Sequence, residues 1–145
     1  MTSATSAGAR LAAVRARIDA AARAAGRDPA GVRLLAVSKT FPPADVRALA
    51  ALGQVDFGEN RAQELLAKAP QIEGRPTWHF IGRLQRNKVA GLAPLVDLWQ
   101  SVDRIELGQD IFPRDQQTPA ALRALHQADI EKWWPIVKAA AAKMD

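Results

Sequence analysis

The sequence predicts an α/β protein: a parallel sheet of about four βα units, the makings of a partial (β/α)8 barrel, followed by a helical tail. Three observations predict it. Short stretches of strand character recur at residues 33–37, 55–57, 78–81 and 98–102. Segments of helical texture separate them, punctuated by glycine and proline. Beyond Ile111 the pattern of strands stops and only helical texture continues. With 145 residues the chain is long enough for one real core. It is shorter than the roughly 250 residues of a complete barrel.

The elements follow in order. Residues 9–25 set Leu11, Val14 and Ile18 at helical spacing, with Gly26 as C-cap before Asp28 and Pro29. Residues 33–37 form a short run, apolar from Leu34 onward, as in a strand covered on both faces, and end at Ser38, Lys39 and Thr40. Pro42 and Pro43 open a helix that runs to Leu52, with Gly53 behind it. The second strand is 55–57, with Gly58, Glu59 and Asn60 as its exit loop and a helix from 61 to about 68. The third is 78–81, then a helix from about 85 to 92, then 98–102 as the fourth. Thr118 and Pro119 form an N-cap and N1 pair opening a helix through Trp134, and Pro135 restarts or kinks a last alanine-rich helix. The expected domains are residues 1–111, the half-barrel, and 112–145, a helical tail of different origin.

Composition narrows the function. A formal charge of +5 raises nucleic acid as a partner, yet the arginines and lysines are scattered and not interleaved with aromatics, which argues against it. The chain has no cysteine, and its two histidines are far apart in sequence, so disulfides, thiolate chemistry and a metal site are not expected. No apolar run approaches the ~20 residues of a membrane span. Met1 to Arg10 is small and polar without the apolar segment of a secretory signal, so the expected location is cytoplasmic.

Lys39 is the first candidate for chemistry. It closes the first strand, on the face where barrel active sites lie. A lysine forms a Schiff base only as the free amine, and desolvation or a neighbouring cation favours that form. On position alone, a solvated strand-end lysine is the simpler reading.

Context strengthens the case. Residues 34–40 (LLAVSKT), then Phe57-Gly58-Glu59-Asn60 with Gln63-Glu64, then Trp78-His79-Phe80-Ile81-Gly82 with Leu84-Gln85 and Asn87-Lys88 resemble the pyridoxal phosphate homeostasis protein family. The resemblance covers about residues 10–108, the first half of a family member. It implies a fold-type III barrel related to the N-terminal domain of alanine racemase, pyridoxal 5'-phosphate as cofactor, and Lys39 carrying it as an internal aldimine. Asn60 and His79, at the ends of strands two and three, would line the cofactor pocket, the amide bonding ring substituents and the histidine stacking or donating near the imine. A cap or loop role for Asn60 and a packed core role for His79 stay open. The basic segment 82–88, at a helix start, is either an anion contact or a solvated first turn. Gly58 would permit a tight turn beneath the pocket.

The function so implied is intracellular cofactor homeostasis by a binder with no catalytic residues. The alternatives are a fragment of a fold-type III racemase or decarboxylase, or a remnant that binds nothing. The enzyme reading needs a second acid or base, and the chain lacks tyrosine and cysteine. A full family member continues through strands five to eight, whose last loops form the phosphate cup, so weak and reversible binding is expected here. From about Phe112, and above all at residues 128–138 (ADIEKWWPIVK), the chain resembles the C-terminal helix of tripartite tricarboxylate transporter substrate-binding proteins, which would make it a fusion of two fragments. A half-barrel exposes sheet edges and apolar helix faces, and a homodimer would bury them.

Overall fold

Four parallel strands pair in sequence order, β1-β2-β3-β4, in the computed structural model. It describes residues 3–112 together with positions 118, 120, 127 and 131. The elements are α1 (Ser3–Ala24), β1 (Ala36–Val37), α2 (Pro43–Ala51), β2 (Asp56–Glu59), α3 (Ala62–Lys68), β3 (Thr77–Phe80), α4 (Arg86–Leu92), β4 (Leu98–Trp99) and α5 (Ile105–Ile111). Each strand but the last two is joined to the next by one helix on the way to a parallel neighbour, and β3 and β4 are joined likewise by α4, so the sheet grows by repeated crossovers. This is the α/β arrangement of four units of a (β/α)8 barrel. The chain divides into two compact units, Met1–Asp103 and Arg104–Asp145. All four strands belong to the first.

Register follows from hydrophobic alternation. Phe57 pairs with Trp78 and Glu59 with Phe80, so these side chains share one face of the sheet. Phe57 and Trp78 have ring centroids 5.9 Å apart, as do Phe80 and Trp99. With Val46, Leu65, Val89 and Leu92 from the helices, Phe57, Trp78 and Phe80 form the buried core. Each such large side chain contributes about 1.5–3 kcal/mol by leaving water. The opposite face is more open: Val37 and Leu98 are 45% and 46% exposed.

Several boundaries differ from the sequence reading for physical reasons. β1 is two residues, where the apolar run suggested five, because only Ala36 and Val37 pair with β2. β2 starts at Asp56 and keeps Gly58 and Glu59, so those two are strand and not exit loop. β4 stops at Trp99, well before Val102. α1 begins at Ser3, ahead of the first apolar position, as its alanine content favours. Leu11 and Ile18 are partly buried on α1, but Val14 is 39% exposed. Gly26 is the expected C-cap, with φ 67° and Arg27 N–H bonded to Ala22 carbonyl at 2.9 Å. α5 arises in a stretch with no marked periodicity. Apart from positions 118, 120, 127 and 131, the expected helices from Thr118 to Trp134 and after Pro135 lie outside the described residues.

Candidate functional site

The pairing register builds one row across the sheet: Val37, Gly58, His79 and Leu98 are successive partners. One alternation further along, at the carboxyl edge, the chain carries Lys39, Asn60, Ile81 and Gln100. The ladder continues to that edge, with Ile81 N–H on Glu59 carbonyl at 2.9 Å and Gln100 N–H on Phe80 carbonyl at 3.0 Å. Lys39 and Asn60 therefore stand at the ends of adjacent strands. His79 is the third residue of β3, one row below them.

Lys39 is exposed and sits in a tight turn. Phe41 N–H bonds Ser38 carbonyl at 3.1 Å, and Thr40, third in the turn, has φ 68°. A β-branched residue in that left-handed region costs of order 1–3 kcal/mol, so the surroundings must impose it. They do so on both flanks. Ser38 N–H bonds Gly58 carbonyl at 2.9 Å, Ser38 carbonyl accepts from Lys68 Nζ at 2.9 Å, and Thr40 N–H donates to Glu64 Oε2 at 2.8 Å.

Beneath that turn lies a buried ion pair. Lys68 Nζ is 2.5 Å from Glu59 Oε1, which also accepts from Ser38 Oγ at 2.6 Å. The two side chains are 6% and 0% exposed, and Glu59 Oε2 has no partner among the described residues. A buried charge pair of this kind persists only with close geometry and extra hydrogen bonds, and both are present here. Sequence reading missed it because it assigned Glu59 to a loop.

His79 is buried within a second network. Its Nε2 is 3.1 Å from Asp56 Oδ1 and its Nδ1 is 2.8 Å from Gln100 Nε2. An ionised carboxylate only accepts, and the Gln100 amide nitrogen only donates, so the tautomer protonated at Nε2 satisfies both. Both ring nitrogens are thus engaged within the protein. Arg33 completes the network through a close ion pair with Asp56. Burial pushes the Asp56 carboxyl up, but hydrogen bonds from Arg33 and His79, with the Arg33 charge, outweigh it and hold Asp56 below the ordinary aspartate value. Arg33, Asp56 and Gln100 were not marked in the sequence, because only the strand register brings them to His79.

Asn60 has a buried amide oxygen with no protein partner among the described residues. Its backbone is pressed against Gly82, where a Cβ would stand 2.0 Å from Asn60 carbonyl oxygen. Only glycine fits there. Gly58 is a milder case: its Cβ would meet Ile81 Cδ1 at 3.1 Å and Leu35 Cδ2 at 3.4 Å, so it keeps the open face low between two methyl groups. A cavity of about 180 Å3 adjoins Asn60, bordered by Arg61, Gln63, Phe80, Arg83 and Lys88. A larger hollow of about 280 Å3 lies at the amino edge beside Leu34, Gln54 and Asp56, and includes none of Lys39, Asn60 or His79. The carboxyl edge thus carries a primary amine on a constrained turn at one strand end and, at the next strand end, a buried amide oxygen without a donor among the described residues.

No protein-family profile matches the chain. Individual relatives do: over 117 residues, 80% of its length, the chain is 49% identical to the pyridoxal phosphate homeostasis protein of Pseudomonas aeruginosa. The chain is a homologue of the pyridoxal phosphate homeostasis proteins. The Escherichia coli protein of that name is 38% identical over 120 residues. The chain spans about half the length of these curated relatives, 50% of each. Among solved structures, an unknown protein from Bifidobacterium adolescentis matches with a TM-score of 0.69 at 36% identity, over 74% of this chain and 49% of that one. PipY of Synechococcus elongatus with pyridoxal phosphate bound matches at 0.60 and 37% identity, over 72% of this chain and 46% of that one. The homeostasis-protein motifs quoted from the sequence fall on β1 and its turn, on β2 and α3, and on β3 and the start of α4. Among the described residues no helix is long and apolar enough to cross a membrane, and no cluster of acidic and histidine side chains is suited to a metal ion.

Proposed function

We propose that the chain binds pyridoxal 5'-phosphate at the carboxyl edge of β1–β3 and serves intracellular homeostasis of that cofactor as a non-catalytic binder. The observation that carries this reading is the placement of Lys39, on its constrained turn, and of Asn60, with its donor-seeking amide oxygen, at the ends of neighbouring strands. The cofactor, when bound, supplies an aldehyde that condenses with a primary amine. Lys39 offers that amine in an exposed position, where an incoming molecule reaches it without displacing core side chains. Asn60 Oδ1 accepts a hydrogen bond from a ring substituent.

His79 contributes differently from a free acid or base. With Nε2 engaged by Asp56 and Nδ1 by Gln100, it supports the floor of the pocket one row below Lys39 and holds no spare ring N–H for the imine. A fold-type III racemase or decarboxylase needs such a free second group. The binder reading is therefore preferred to the enzyme fragment. Residues 112–145 stand in this proposal as a separate helical tail, and the protein as cytoplasmic. A homodimer would cover the exposed Val37 and Leu98 face.

The test is an absorbance titration of the full chain with pyridoxal phosphate, for wild type and Lys39→Ala, with borohydride reduction and mass mapping of the modified residue. A band that depends on Lys39, trapped on that residue, is the expected result. Equal bands in both proteins, or none, overturn the proposal. Added amino acids that undergo racemisation or decarboxylation would favour the enzyme fragment instead.

A further inference from the structure

We infer that Glu64 is a positioning residue for Lys39, acting through the backbone of the turn that presents the lysine. The inference rests on the proposed role of Lys39 as the point of cofactor attachment. Thr40 occupies the left-handed region at φ 68°, which a β-branched residue does not choose by itself. Its N–H donates to Glu64 Oε2 at 2.8 Å, a charge-assisted bond between residues 24 positions apart in sequence. Glu64 is well placed to hold it. It stands in the first turn of α3, where a carboxylate is favoured, and its other oxygen faces Arg61 Nη1 at 3.4 Å.

The opposite flank of Lys39 is fixed from the same helix. Ser38 carbonyl accepts from Lys68 Nζ at 2.9 Å, so α3 holds the residues on both sides of the lysine while the lysine side chain stays exposed. Covalent attachment joins Lys39 Nζ to the aldehyde carbon, the amine giving up two hydrogens and the aldehyde its oxygen as one water. The bond balances without any further reactant. What the protein can add is a turn whose backbone is already fixed around Lys39, so that less conformational freedom is lost when the bond forms. Glu64 supplies that through the Thr40 amide.

The experiment compares the full-length wild type, Glu64→Ala and Glu64→Gln by two readouts. The first needs no cofactor: the exchange rate of the Thr40 amide hydrogen by NMR. The second is the Lys39-dependent absorbance band in a pyridoxal phosphate titration, taken well below the melting transition of each variant. Glu64→Ala is expected to speed Thr40 exchange and to weaken attachment about tenfold, equivalent to 1.4 kcal/mol. Glu64→Gln keeps a carbonyl acceptor and should recover most of that loss, which a mere fall in stability would not explain. Attachment within about twofold of wild type in Glu64→Ala, or unchanged Thr40 exchange in that variant, overturns the inference. If wild type itself shows no Lys39-dependent band, the cofactor reading fails, and the Thr40 exchange rates still decide whether Glu64 holds the turn.

Discussion

Replacing Lys68 by methionine removes the cation from the most deeply buried ionic contact described. Glu59 would keep only the Ser38 hydroxyl, at 2.6 Å, as a donor to a side chain that is 0% exposed. Removing one partner of a buried pair costs about 3–5 kcal/mol, because a charge is left in a poorly solvated place. That is a large share of the roughly 5–15 kcal/mol that holds a domain together. For a unit of this size, each kcal/mol moves the melting temperature by about 4–8 °C, so the expected drop is roughly 12–40 °C. The decisive assay is a double-mutant cycle in urea, followed by far-UV circular dichroism. Glu59→Gln alone strands the ammonium and should cost about 3 kcal/mol. The double substitution leaves no buried charge, and an amide oxygen still accepts from Ser38. It should therefore be more stable than the sum of the single losses predicts, with a coupling of about 2 kcal/mol. A coupling below about 0.5 kcal/mol would show that the two groups do not depend on each other, and would refute the keystone role of the pair.

Three further outcomes are expected. Asp56 is held below its ordinary value of 3.8, so its contribution to stability is complete above about pH 4 and is lost as pH falls through the lower native value; acid unfolding of Asp56→Asn should show a flatter slope in that range, and an unchanged slope would remove the Arg33–Asp56–His79 network from the account. Gly82→Ala forces a Cβ to within 2.0 Å of a backbone oxygen, whereas Gly58→Ala meets side-chain carbons of Ile81 and Leu35 at 3.1 Å and beyond; the first should cost at least about 2 kcal/mol in a urea midpoint comparison and the second about 1 kcal/mol or less, and the reverse order would contradict the packing. Nitrogen NMR of the His79 ring should find the proton on Nε2, and Gln100→Ala should relax that preference; a ring protonated at Nδ1 instead would contradict the assigned tautomer.

The order of strands and helices was legible in the sequence because it rests on local rules. The stretches at 55–57 and 78–81 are short, largely apolar and bounded by turn formers, and they became β2 and β3 with small shifts at their ends. Gly26 announced the end of α1 because a left-handed cap there needs no side chain. Glu59 was misread for an equally local reason. Gly-Glu-Asn is turn-prone by composition, and only pairing with β3 and the charge of Lys68, nine residues on, keep it in a strand.

By itself, then, the sequence determined the α/β class, the parallel order of four units, and the place of Lys39 just beyond the first strand. These follow from periodicity, chain punctuation and motif, all of which act over a few residues. Tertiary structure alone decided which side chains surround that lysine. Register placed His79 between Asp56 and Gln100, and α3 brought Glu64 to the Thr40 amide and Lys68 under the turn. Such contacts join residues about 20 to 30 positions apart, where neither propensity nor spacing carries information and only the closed geometry of packed strands and helices selects the partner.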